Sequence, residues 1–136
     1  MNIFLAIAAL VFSVITARTY WKAGTFKAKA SEDVLVGAGM AWVKGNMGFT
    51  RTVAWLEILG AIGILAGPLG AWVTNFEWSK WVGVAAAGGL TLTMVVAFLM
   101  HLARGEAKYT WKMNFRIIVI AALATALQIA VVLPLF

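Results

Sequence analysis

The sequence predicts an all-α fold, a bundle of four transmembrane helices with one short amphipathic segment between the first and second helices. The 136 residues are 63% hydrophobic with a mean hydropathy of +0.94. Only 12% are charged, about half the fraction of a soluble domain. Four stretches each approach the roughly 20 apolar residues that cross a bilayer. The length allows a single integral membrane domain over residues 1–136, in contact with the lipid bilayer. The absence of cysteine excludes disulfides, thiol catalysis and thiolate metal sites.

The four predicted spans differ in the charges that they contain. The first has no Lys or Arg before Arg18, so we expect a retained helix rather than a signal peptide. The second contains Glu57 and is broken near its far end by Pro68. The third is uncharged until His101, and the fourth carries only Arg116 at its entrance. The approximate spans are 1–19, 52–73, 81–102 and 115–136.

The long connection from Tyr20 to Arg51 is predicted to hold a short amphipathic helix at the membrane surface. Ser31 is a suitable N-cap, and Glu32 and Asp33 in the first turn favour the positive end of the helix dipole. The residues with helical spacing that would form its apolar face are Val34, Ala38, Ala41 and Trp42.

The distribution of basic residues predicts the orientation. Lys80 is alone in the second connection, whereas the side with the first and third connections carries ten Lys and Arg residues. The positive-inside rule places that side in the cytoplasm and both termini outside, with the chain in the cytoplasmic (inner) membrane. The same topology explains the net charge of +6 without a nucleic-acid partner. The ten residues are Arg18, Lys22, Lys27, Lys29, Lys44, Arg51, Arg104, Lys108, Lys112 and Arg116.

Glu57 and His101 are the candidate catalytic residues. A carboxylate inside a span is costly and normally faces the interior of the bundle. Glu57 lies about 9 Å along its helix from Arg51, and His101 lies one turn before Arg104, so similar depths are expected. Other side chains at this end are candidates for binding a substrate or a quinone: Arg51, Arg104, Glu106, Asn114, Trp55 and Tyr20. Most of the tryptophans are expected to anchor the membrane interfaces, while Trp42 and Trp55 could also shape a pocket wall.

Two interpretations of this polar cluster stay open. In the functional one, Glu57 is protonated, or is held ionised by His101 or an arginine, and transfers protons or binds a polar head such as a quinone carbonyl. In the structural one, the side chains form an interhelical clamp worth about 1 kcal/mol per hydrogen bond. We favour function for Glu57 and the clamp for His101. No metal site is expected, because His101 would be the only nitrogen ligand.

Small residues mark expected places of close helix contact. They could serve packing within the chain or a homo-oligomer face, because small side chains let helix backbones approach in a membrane. We favour the intramolecular use, since the second and third spans are joined by a short connection. The stripes are Gly60, Gly63 and Gly67 in the second span, with Gly83 and Ala87, and Ala85 and Gly89, in the third.

The centre of the chain carries a family resemblance. The block LEILGAIGIL starts at Leu56 and is followed by Gly67-Pro68, and AAAGGLTLTM starts at Ala85. The third span then closes with the sequence from His101 to Glu106. In this order, the region from Arg51 to Asn114 resembles the DoxX-like family of small four-helix membrane proteins. The family pattern has a Glu opening a glycine-rich second span and His-x-x-Arg-Gly-Glu closing the third. The matched polar positions are Glu57, His101, Arg104 and Glu106.

The resemblance implies a protein of the cytoplasmic membrane. Some relatives look like membrane subunits of quinone-linked oxidoreductases, including the thiosulfate:quinone type, and others are placed with oxidative-stress complexes. More distant relatives isomerise or cyclise lipophilic substrates. We therefore expect a membrane subunit or quinone-site component of an oxidoreductase system. Its basic connections would dock a soluble cytoplasmic oxidoreductase, and a bound quinone would serve in place of an intrinsic cofactor.

Two other functions stay open from the sequence. The chain could be a stand-alone membrane enzyme of the isomerase, cyclase or hydrolase type, with Glu57 as acid or base on a small lipophilic substrate. It could also be an assembly protein in which Glu57 only clamps helices. Transport is less favoured, because four short spans without an inverted repeat leave little room for alternating access.

Overall fold

The computed structural model describes residues 3–74, 78–105 and 107–132. Over these residues the chain is helical, with a 3₁₀ turn at Ala41–Val43 and a π-helical turn at Gln128–Val132. Four of the described helices are long and apolar enough to cross a membrane, so the predicted all-α four-helix fold is confirmed. The helices are α1 (Ile3–Lys29), α2 (Glu32–Gly37), α3 (Met47–Thr74), α4 (Ser79–Ala103) and α5 (Ala107–Leu127).

The four long helices form a ring in which α1 and α4 each pack against both α3 and α5. The core between them is built largely from alanines, which let the helices approach closely. Hydrogen bonds cross both diagonals of the ring. Tyr20 Oη donates to the carbonyl oxygen of Leu90 at 2.7 Å, linking α1 to α4. Gln128 Nε2 donates at 3.0 Å to the carbonyl oxygen of Ile64, linking the end of α5 to α3.

The helices extend beyond the predicted spans. Helix α1 continues past Thr19 to Lys29, and α3 begins at Met47 rather than at Thr52. The connection between them is therefore shorter than the predicted range of residues 20–51. Charged side chains limit how far a segment enters hydrocarbon, but they do not interrupt backbone hydrogen bonding, so the helices continue into the interface.

The connection confirms the predicted N-cap but contains a shorter helix than the apolar spacing predicts. Ser31 Oγ accepts a hydrogen bond from the backbone N–H of Val34 at 3.3 Å, and α2 begins at the next residue. The helix ends after six residues, and the chain turns at Gly39, whose φ is +94°. Val34 is 53% exposed, whereas Leu35 and Val43 are fully buried. Of the four residues with helical spacing, only Val34 lies in α2, because the helix ends at Gly37 and a 3₁₀ turn follows at Ala41–Val43.

The predicted stripe of Gly60, Gly63 and Gly67 in α3 packs within the chain. A Cβ at Gly60 would lie 2.6 Å from Leu90 Cδ2, and one at Gly67 would overlap the backbone of Gly83. The prediction fails for Ala85 and Gly89, which are exposed. A Cβ at Gly89 would meet nothing within 4 Å. This pair lies on the outer face of α4, because α4 presents Gly83, Ala87 and Leu90 to the core instead.

Pro68 lies inside α3 and does not end it, since the helix continues to Thr74. Proline has no N–H, so the carbonyl oxygen of Ile64 one turn earlier loses its helical donor. Gln128 Nε2 replaces that donor and also donates to Ser13 Oγ at 3.0 Å. Close to the proline, Ser79 Oγ at the start of α4 donates a hydrogen bond to the carbonyl oxygen of Gly67 at 2.8 Å. Gln128, in the π-helical turn after α5, thus compensates for the missing N–H of the proline.

Candidate functional site

Glu57 is buried inside the bundle and forms an ion pair with Lys27. Lys27 Nζ donates to both carboxylate oxygens of Glu57, at 2.8 Å to Oε1 and 3.1 Å to Oε2. The two side chains are 12% exposed for Lys27 and 4% for Glu57. The burial of Glu57 agrees with the prediction that its carboxylate faces the interior. The cation that the structure places beside it is a lysine from α1.

Close packing of α1 against α3 brings the two residues together. Gly24 lies about one turn before Lys27, and a Cβ there would lie 2.9 Å from the carbonyl oxygen of Ala54 and 3.2 Å from Glu57 Cβ. A side chain at position 24 would therefore push the helices apart. With glycine, the two backbones are close enough for the Lys27 side chain to reach across to Glu57.

Arg51 fixes the end of α1 that carries Lys27. Its Nη1 donates to the carbonyl oxygen of Lys27 at 2.6 Å, and its Nη2 donates to that of Ala30 at 2.9 Å. The last carbonyls of a helix lack intrahelical donors, and an arginine is well suited to supply them. The structure thus places the predicted ligand-binding Arg51 at the C-terminus of α1, where it holds the backbone of Lys27.

An apolar cleft of about 260 Å³ opens beside the ion pair, between α3 and α4. Trp42 and Phe49 form one aromatic side of it, with ring centroids 6.3 Å apart and planes at 78°. We call this space the ion-pair cleft. Lys27 and Glu57 are its charged residues, and its other lining residues are Trp42, Phe49, Val53, Leu56, Leu92, Thr93, Val96, Ala97 and Met100.

The chemistry of the cleft follows from its lining. An ammonium donor and a carboxylate acceptor stand side by side at the wall of an apolar space, where electrostatic interactions are stronger than in water. Binding sites for small molecules have this composition, mostly apolar walls with a few polar groups that fix orientation. The cleft suits a lipophilic molecule with an oxygen-bearing head that accepts from Lys27 or donates to Glu57.

None of the five predicted binding residues that the structure describes, Arg51 included, lines this cleft. Tyr20 is buried in the core, where its hydroxyl donates to α4. Trp55 is 59% exposed on α3, as an interface anchor would be. Asn114 is buried on α5, and its Nδ2 has no hydrogen-bond partner among the described residues.

The residues of the His-x-x-Arg-Gly-Glu motif lie at the end of α4. Met100 lines the ion-pair cleft, while its neighbour His101 is half-buried and is not among the lining residues. Arg104 is exposed and follows the last residue of α4, and Glu106 lies outside the described residues. The structure thus brings Lys27, rather than His101, into the hydrogen-bonding shell of Glu57.

Lys27 was not predicted as a site residue from the sequence. It was included only among the basic residues that indicate the membrane orientation. A signal was present in the spacing of α1, where the buried face runs through Ser13, Ala17, Tyr20 and Gly24. Continuing that face by three residues reaches Lys27. The pattern of the buried helix face therefore continues beyond Arg18, where the apolar stretch ends.

No group of three potential ligating side chains (His, Asp or Glu) that could hold a metal ion occurs among the residues that the structure describes. The model of the DoxX-like family matches residues 11–127 of the chain, which extends the resemblance from the central spans into all four long helices. The search of curated proteins and the search of solved structures gave no match.

Proposed function

The chain belongs to the DoxX-like family, and from that premise we propose that it is the quinone-site component of a membrane oxidoreductase system. The observation that carries the proposal is the Lys27–Glu57 pair at the wall of the apolar ion-pair cleft. A quinone has a planar ring and two carbonyl oxygens. Trp42 and Phe49 offer an aromatic side for the ring, and Lys27 offers a donor for an oxygen.

The two charged residues of the cleft have the chemistry needed to bind a quinone head and to transfer protons. A bound quinone would supply the redox chemistry, taking up two electrons and two protons in all. Lys27 orients the head by donating a hydrogen bond to an oxygen, and Glu57 gives or accepts a proton at its carboxylate oxygens. Because hydrogen bonds to charged groups are stronger than neutral ones, the pair can hold a small head group in a fixed orientation.

The same end of the bundle offers a surface for a soluble partner. Lys22, Lys29, Lys44 and Arg104 are exposed around it. These charges would attract an acidic face on a cytoplasmic oxidoreductase that delivers or removes electrons. This docking places the electron source on the side of the chain where the ion-pair cleft lies.

A binding titration tests the proposal. The chain in nanodiscs is titrated with decyl-benzoquinone while tryptophan fluorescence is followed, and Trp42→Phe identifies the quenched residue. Lys27→Met removes one charge-assisted hydrogen bond, so we expect affinity to fall about tenfold. Lys29→Met, an exposed lysine two residues away, is the matched control and leaves affinity unchanged.

Equal affinity for the parent chain, Lys27→Met and Glu57→Gln would contradict the proposal. If both variants then also lose thermal stability, the pair serves as an interhelical clamp. A second measurement is the quinone content of the chain purified in mild detergent, determined by solvent extraction. A protein with a quinone site should retain quinone through this purification.

A catalytic alternative is favoured by one specific observation, the Glu57 carboxylate lining the ion-pair cleft. Small-molecule sites begin at about 300 Å³, close to the volume of the cleft. An isomerase, cyclase or hydrolase would use Glu57 as acid or base and Lys27 to polarise a substrate oxygen. Turnover of an epoxide or terpenoid that survives in Glu57→Gln would exclude this role.

A further inference from the structure

We propose that a groove on the lipid-facing side of α3 and α4 holds the hydrocarbon tail of the ligand whose polar head enters the ion-pair cleft. We call this space the α3–α4 groove. The inference rests on the proposed function for the identity of the head, and it adds the substrate class. The ligand is a lipophile with a long alkyl or isoprenoid tail that enters sideways from the bilayer.

The α3–α4 groove is an open apolar trough of about 500 Å³. Gly60 and Gly63 form part of its floor, where the side chains of Leu90 and Ala86 from α4 pack against them. Leu56 and Leu59 rise beside it and are 59% and 62% exposed. Gly89 lines the groove with open space above it.

The groove and the ion-pair cleft adjoin each other. Leu56 and Thr93 line both spaces, so the two spaces meet at these side chains. From Thr93 the groove follows α4 back to Val82. That distance is about 16 Å along the helix axis, a length suited to an extended chain. A molecule with its head beside Glu57 can therefore lay its tail along the groove.

The charges in the adjoining ion-pair cleft argue for a tail rather than a second copy of the chain. An apolar helix from another copy would match the groove alone and would bring no polar group to Lys27 and Glu57 in the cleft. A ligand with a polar head and an apolar tail matches both regions. Since lipid is as apolar as the groove, the tail gains mainly by packing, and its effect on binding is expected to be modest.

Photo-crosslinking in nanodiscs tests the inference. The probe is a benzoquinone with a diazirine in its alkyl tail, and a methyl ether with the same tail serves as the headless control. We expect the quinone probe to label peptides of α3 and α4 that line the groove, several-fold more than the headless probe does.

Two adjacent glycines provide a matched pair of variants. A Cβ meets nothing within 4 Å at either Gly88 or Gly89, but only Gly89 lines the groove. We expect Gly89→Leu to fill the groove and lower labelling there about fivefold, while Gly88→Leu leaves it unchanged. Ala85→Leu also fills the groove and confirms the result if Gly89→Leu folds poorly.

The outcomes separate this inference from the proposed function. If alkyl probes with other polar heads label the groove as well as the quinone does, and Lys27→Met has no effect on labelling, the groove stands and the quinone site fails. If quinone binds the cleft but Gly89→Leu and Ala85→Leu do not change tail labelling, the groove fails alone.

Two further results would overturn the groove as a tail site. Equal labelling of the groove and of the other lipid-facing surfaces by the headless probe would mean that bulk lipid fills it. Disulfide-linked dimers of Gly89→Cys, absent from Gly88→Cys, would mean that a second copy covers it. The chain has no native cysteine, so such a crosslink can form only at the introduced residue.

Discussion

Lys27 and Glu57 join α1 to α3 through contacts of 2.8 Å and 3.1 Å between one ammonium nitrogen and two carboxylate oxygens. The pair therefore holds two helices together and also supplies the charged wall of the ion-pair cleft. Removing one partner should lower both stability and ligand binding. Removing both partners should restore stability but not ligand binding, so the two roles can be measured separately.

Removing one member of the pair should destabilise the bundle more than removing both. Lys27→Met leaves the Glu57 carboxylate buried without its cation, and breaking a buried pair in this way costs about 3–5 kcal/mol. The double variant Lys27→Met/Glu57→Met replaces both charges by apolar side chains and should recover most of that loss. Unfolding in mixed micelles measures both. A double variant no more stable than the weaker single variant would contradict the expectation.

Arg51 should control the order of the last turn of α1. Arg51→Gln removes the hydrogen bonds to the carbonyl oxygens of Lys27 and Ala30, each worth about 1–3 kcal/mol when a charged donor is involved. We expect faster amide hydrogen exchange near the end of α1. The control is Arg18→Gln, which changes an exposed arginine of α1 and should leave the exchange at the end of α1 unchanged. Unaltered exchange in Arg51→Gln would show that the terminus is held by other contacts.

Gln128 should matter chiefly because Pro68 is present. Gln128→Leu leaves the carbonyl oxygen of Ile64 buried without a donor, at a cost of about 1–3 kcal/mol. In a Pro68→Ala background the alanine N–H can restore the helical hydrogen bond, so the same substitution should cost less. A double-mutant cycle on unfolding free energy measures the coupling. If Gln128→Leu lowers the unfolding free energy equally in the two backgrounds, Gln128 and Pro68 are not coupled.

Gly67 and Gly88 should respond differently to substitution by alanine. A Cβ at Gly67 would overlap the backbone of Gly83, so Gly67→Ala forces α3 and α4 apart and is expected to lower stability by about 1–3 kcal/mol. Gly88→Ala adds its methyl group to open space and should be neutral or stabilising. Thermal unfolding of the two variants in the same detergent compares them. Equal stability would mean that the helices are not in close contact at Gly67.

The charge distribution predicts that the α1–α3 connection faces the cytoplasm. Lys44→Cys places a label in that connection, and Trp78→Cys places one at the opposite end of the bundle, beside the start of α4. In intact cells, a membrane-impermeant maleimide should label only the second. Labelling of Lys44→Cys before lysis would reverse the orientation. The cysteine-free parent is the control.

Composition and span length were enough to predict the four-helix bundle. The apolar composition is set by the hydrocarbon of the bilayer, and the length of each span is set by its thickness. They also predicted a buried Glu57, since an exposed carboxylate in hydrocarbon is too costly. The N-cap at Ser31 was predictable because capping depends on neighbouring residues alone. These features are local or follow from the solvent, so one sequence suffices.

The partners of buried polar groups were not predictable in the same way. Lys27 is thirty residues from Glu57 along the chain, and only the packing of α1 on α3 at Gly24 brings them together. The helical spacing from Val34 to Trp42 likewise did not predict the end of α2 at Gly37. Such contacts depend on helix rotation and register, which the hydrophobic pattern of a membrane helix specifies weakly.

The hydrogen bond from Gln128 to Ile64 also bears on biogenesis. The proline in α3 leaves a carbonyl oxygen that stays unsatisfied while the first three long helices insert, and its donor arrives near the end of α5. A nascent chain halted before that point would carry an exposed polar defect within the bilayer. The carbonyl oxygen of Ile64 therefore gains this donor only after the last long helix has been made.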